Sequence, residues 1–138
     1  MATFSQEAKV PVNVEESGND SVGQRLAFAV REKIRASAGY KLVEHADSRV
    51  TISIVSLDPE HSEGSPGLST AASIAFTMTN LNSFQRTNPQ TYYPIFLTYL
   101  VMVVGSARVN EQAESILAAL DKTLEDYKAE ARWGALLN

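Results

Sequence analysis

The segment Tyr92–Val104, YYPIFLTYLVMVV, is apolar on both faces of any strand it forms. Successive side chains of a strand point to opposite sides of a sheet. Two earlier segments, Val50-Thr-Ile-Ser-Ile54 and Ser73-Ile-Ala-Phe-Thr-Met-Thr79, alternate between large apolar and small or polar residues. They read as half-buried strands whose outer face is Thr51, Ser53, Ser69, Ala71, Ser73, Ala75, Thr77 and Thr79. The third strand has Ile95, Leu97, Tyr99, Val101 and Val103 on one side, and Phe96, Thr98, Leu100, Met102 and Val104 on the other. Whichever set turns inward, the other adds four or five large groups to the outer face. Burying each is worth about 1.5–3 kcal/mol, and leaving them wet makes a sticky stripe. The N-terminal lead or the Trp133–Leu137 tail can cover it, or a partner or second copy can. A bulge that switches the pleat is a third solution.

The rest of the chain supplies the other elements. Lys9–Glu15 alternates Val10, Val12 and Val14 on one face, with Pro11 pointing to a sheet edge or an irregular start. Asp20 or Ser21 can cap a helix whose stripe is Val22, Leu26, Val30 and Ile34, and Gly39 is placed to stop it. Tyr40, Leu42 and Val43 continue as a short extended piece. Arg49–Leu57 is a strand, followed by an acidic turn-rich loop over 58–67 with Asp58, Glu60 and Glu63. Leu68–Thr79 follows with Leu68, Ala72, Ile74, Phe76 and Met78 inward, then a polar loop over 80–91. After the apolar strand, Asn110 can cap a second helix striped by Ala113, Ile116, Leu117, Leu120, Leu124 and Tyr127. The order β-α-β-β-β-α predicts an α+β fold, a two-layer α/β sandwich. A mixed four-stranded sheet carries two helices on one face. Residues 1–8 read as a flexible lead and 9–138 as a single domain, long enough at 138 residues to bury a core without staples.

Little in the chain points to chemistry. A net charge of −4 is the wrong field for nucleic acid, and no apolar run reaches the roughly 18 residues of a membrane span. Zero cysteines exclude disulfides and thiolate sites and suit the cytosol or a Gram-negative periplasm equally. His45 and His61 lie in separate loops, without a ligand spacing for metal. There is no Gly-x-Ser-x-Gly elbow, Walker loop or Gly-x-Gly-x-x-Gly. No catalytic, cofactor or metal residue is therefore expected. Arg25, Arg31 and Arg35 do not line up on one helix face and read as a solvated surface. Phe84, Tyr92, Tyr93 and Trp133 can form an aromatic rim at one end of the sheet. With Arg86, Phe96, Leu100 and Val101 they make the candidate partner-binding set.

The string from Asp20 to Val43, DSVGQRLAFAVREKIRASAGYKLV, follows a strand and precedes a meander and a final helix. In that order it resembles the N-terminal domain of TolB and related small cell-envelope modules, from about residue 9 to 128. The resemblance implies a domain that binds other envelope proteins and has no catalytic residues. The loops over 58–67 and 80–91 are longer than a tight meander needs.

The expected function is that of an exported, non-catalytic domain acting through protein–protein interaction in the envelope or outside the cell. Two alternatives stand beside it. One is a small-molecule binder with a pocket between the open sheet face and the 80–91 loop. The other is a structural subunit of a homo-oligomer. The start Met1-Ala-Thr-Phe-Ser-Gln-Glu7 reads as a mature N-terminus behind an added Met, which implies a removed export signal and a periplasmic or secreted protein. A cytoplasmic location is the alternative.

Overall fold

In the computed structural model, the structure describes residues 9–44, 48–60, 67–79 and 95–137, with side chains to Ala129 in the last helix. The described residues form five strands: β1 (Val10–Ser17), β2 (Tyr40–Leu42), β3 (Arg49–Leu57), β4 (Ser69–Thr79) and β5 (Ile95–Gly105), with inward residues at period two in β1, β3 and β4. Apolar residues at helical spacing form α1 (Ser21–Ala36) and α2 (Val109–Leu137), the second entered through a 3-10 turn at Ser106–Arg108.

The sheet order is β2-β1-β3-β4-β5. β1 is parallel to both β2 and β3, and β3, β4 and β5 form an antiparallel meander. This is the mixed-sheet α+β sandwich expected, with one strand more. Tyr40–Leu42 is a true fifth strand, because Val10, Pro11 and Val12 pair with it in register. Pro11 is also not on an outer strand. Val10 donates to Gly39 and Val12 accepts from Val43, both on the β2 side. Alternation turns position 11 toward β3, one step before β3 pairing begins at Val12. The missing donor therefore falls just outside the β1–β3 ladder.

Both helices lie on one face of the sheet. Val22, Leu26, Val30 and Ile34 of α1 meet Ala113, Ile116, Leu120 and Leu124 of α2 over Val12, Ile52, Ile54, Ile74, Phe76 and Val104. Four local expectations change. Helix α1 ends at Ala36 with Ser37 extended, and Gly39 takes no left-handed conformation. Asn110 lies inside α2, which begins at Val109, so it is not the cap. The Arg132–Leu137 tail continues the helical backbone of α2. Leu68 lies just before β4 and is exposed rather than inward; its carbonyl accepts from the Ser106 amide.

The entry to α1 is held by a polar knot. Asp20 Oδ2 accepts from the Gly23 amide at 2.9 Å and Oδ1 accepts from the Ser56 hydroxyl at 2.7 Å. Burial pushes the Asp20 carboxyl up, but hydrogen bonds from Thr70, Ser56 and Gly23 outweigh it and hold it below its ordinary 3.8. A depressed carboxylate stabilises the fold above its unfolded value, and that contribution is lost as pH falls through the folded value. We expect Asp20→Asn, which keeps a cap acceptor but no charge, to flatten the loss of melting temperature below about pH 4. Parallel acid melting curves for the two chains would refute the role of the charge.

On the same face, at the β2 edge, the Tyr40 hydroxyl donates to Asp121 and ties the short strand to α2. Burial, then that bond and the negative charges of Asp121 and Glu125, raise its pKa well above the ordinary tyrosine value.

Candidate functional site

The face of the sheet away from the helices is where the structure departs from an ordinary solvated surface. Pairing of Ile74 with Leu100, Ala72 with Met102 and Thr70 with Val104 turns Leu100, Met102 and Val104 toward the helices. Tyr99, Val101 and Val103 therefore face outward, and each is well over half exposed. Between Phe76 and Thr77 the register shifts: Phe76 pairs with Thr98 while Thr77 pairs with Phe96. Leu97 is the extra residue of a β-bulge. It resets the pleat, so Phe96 also faces outward, three residues from Tyr99. In an unbroken strand that spacing would put the two rings on opposite faces. Here they stand 6.3 Å apart between centroids at 34°.

A second ridge comes from β3. Its outward positions are Arg49, Thr51, Ser53, Val55 and Leu57, and polarity reverses along it. Thr51 is buried, whereas Val55 and Leu57 are exposed. Ladder pairing aligns Val55 with Ser73 and Val101, and Leu57 with Ala71 and Val103. The outer face thus has two apolar ridges, on β3 and β5, with a trough of Ala71, Ser73 and Ala75 on β4 between them. Neither β4 nor β5 contains a charged residue. Among the described residues β5 is also an edge strand, 11 residues long and without proline. Proteins usually blunt such an edge with charge, proline or a short strand.

Of the residues expected at a partner site, Phe96 and Val101 lie on this face. Leu100 does not: it is half-buried and packs against the core opposite Ile74. Phe84, Arg86, Tyr92 and Tyr93 lie outside the described residues, as does the side chain of Trp133. The 80–91 loop, the lead over 1–8, His45 and His61 lie outside them too. Sequence reasoning left Val55 and Leu57 out of the site. The available signal was local: after Thr51 and Ser53, the outward positions of Arg49–Leu57 become apolar while inward Ser56 becomes polar.

The remaining candidates are engaged within the fold. Arg25 donates to the Ser106 carbonyl at 3.1 Å, Arg31 donates to the Val14 carbonyl at 3.0 Å, and Arg35 pairs with Glu32. A crevice at the start of α1 is lined by Asp20, Ser56, Asp58 and Gly67. Its carboxylates already have partners, because Asp58 accepts from the Glu60 and Gly67 amides, both at 2.9 Å. Among the described residues no three Asp, Glu or His side chains stand together as metal ligands, and no helix is long and apolar enough to cross a membrane.

No protein-family model matches the chain. No curated protein matches it either. Among solved structures it is similar to the rare lipoprotein B from Shewanella oneidensis, at 10% identity and a TM-score of 0.40, over 86% of this chain and 98% of that one. It is also similar to a hypothetical protein from Chlamydia trachomatis, at 11% identity and a TM-score of 0.39, over 70% of this chain and 72% of that one. Neither likeness bears on the site.

Proposed function

We propose that this chain is a non-catalytic protein-binding domain of the cell envelope or the extracellular space, and that it docks a protein on the open face of β3, β4 and β5. The observation that supports the reading is the uncharged double ridge of Val55, Leu57, Phe96, Tyr99, Val101 and Val103. Apolar patches of this kind, left free of charge at their centre, are the usual mark of a protein interface. The envelope location rests on the resemblance of the Asp20–Val43 segment to TolB-type modules.

A photo-crosslinking residue at Val101, compared with one at Lys122 on the exposed side of α2, tests the docking face in the source cell. A defined protein adduct is expected from position 101 and not from 122. Equal labelling from both positions, or none from 101, would sink the reading.

A further inference from the structure

We infer that the occupant of this face is a second copy of the same chain, seated sheet on sheet. The inference rests on the docking face proposed above and names its partner.

The first argument is shape. The face is a ridge, a trough and a ridge: Val55 and Leu57 on β3, then Ala71, Ser73 and Ala75 on β4, then Tyr99, Val101 and Val103 on β5. A two-fold axis running along the strands between β4 and β5 sets the β5 ridge of each copy into the β4 trough of the other. In that position the ridge is flanked by the partner's β3 and β5 ridges. The surface is complementary to itself, as an isologous interface requires. Two sheets twisted in the same hand stack in this way about 10 Å apart.

The second argument is area. Six large apolar side chains, each more than half exposed, surround the trough. Together they present on the order of 600 Å², at the top of what monomers carry and close to the roughly 800 Å² per partner of a standard interface.

The third argument is charge. Two copies of a chain with net charge −4 repel each other unless the surfaces that meet are neutral. β4 and β5 are free of charge, and the charged residues at outward positions of the described strands, Arg49 at the start of β3, Glu15 on β1 and Lys41 on β2, stand away from the trough and its two ridges. Among the described residues, a partner recognised by charge would find nothing to read on the β4 and β5 centre of this face.

Sedimentation equilibrium of the full chain over a range of concentrations tests the inference. The expected species has twice the 15.0 kDa of one chain. Val101→Lys and, separately, Val55→Lys should raise the dimer dissociation constant about 100-fold or more. Both side chains are exposed in one copy, so unchanged circular dichroism should accompany the loss. Glu15→Gln changes the net charge by the same amount as either lysine and should leave the dimer intact. A dimer that survives both lysine variants overturns the sheet-on-sheet arrangement and moves the contact to the β5 edge or elsewhere. A monomer at every concentration overturns the second copy. In that case a foreign adduct at position 101 keeps the docking face and shows a different occupant. An adduct to a segment of the same chain removes both.

Discussion

Phe76→Ala should cost about 3–5 kcal/mol of stability, the largest loss expected from any single truncation in the molecule. Phe76 is the largest fully buried side chain, in β4 on the helix-covered face of the sheet. Its cross-strand neighbours are Ile52 on β3 and Thr98 on β5. Ile52 is fully buried and already packed. Thr98 is too short to fill a ring-sized hole, and Val14, Ile74 and Ile116 are held by their own elements. The cavity therefore stays open, and its cost adds to the lost transfer energy. That loss is a large part of the roughly 5–15 kcal/mol that holds an ordinary domain together. Phe28→Ala is the comparison, since Phe28 is 61% exposed on α1. It should stay within about 0.5 kcal/mol of the parent. Urea unfolding of the two variants separates the cases, and similar losses from both would contradict this placement of the core.

Gly23→Ala should destabilise by about 2 kcal/mol, although alanine in place of a helical glycine ordinarily gains about 1 kcal/mol. Gly23 lies in the first turn of α1, directly against β3. A β-carbon there would overlap the Ser56 hydroxyl, and it would lie 2.6 Å from Ser56 Cβ and 2.7 Å from Asp20 Oδ1. Ser56 cannot swing aside without breaking its bond to Asp20, which caps the helix. The added methyl group thus attacks packing and cap together. Gly39 is the control: a β-carbon there meets nothing within 4 Å and its backbone is not left-handed. Gly39→Ala should stabilise by about 0.4–1 kcal/mol through the unfolded chain. Denaturant midpoints settle both signs, and a gain from Gly23→Ala would refute the close approach. Adding Ser56→Gly to Gly23→Ala should recover part of the loss, because the two sites share one contact.

The elements were legible because their signals are local. The Val22–Ile34 and Ala113–Leu124 stripes mark the inner sides of the two helices, and nine of the alternating residues from Arg49 to Leu57 form β3 with those bounds. The excess of apolar residues in β5 also announced a face in need of cover. Where the expectation failed, the deciding contact was distant. Tyr40–Leu42 is too short to declare itself a strand, and only β1 makes it one. Leu100 and Val101 look alike as apolar strand residues. Which one faces the helices depends on the pairing of β4 with β5.

The sequence by itself determined the helices, the alternating strands, the two-layer class and the surplus of apolar groups on β5. Period and composition carry those features, and both act over a few neighbouring residues. The tertiary structure decided the strand order, the fifth strand, the bulge at Leu97 and the meeting of Gly23 with Ser56. Register along a ladder has a period of two, so one extra residue exchanges the inner and outer faces of everything beyond it. That single step brings Phe96 and Tyr99 to one side, and only the pairing with β4 specifies it.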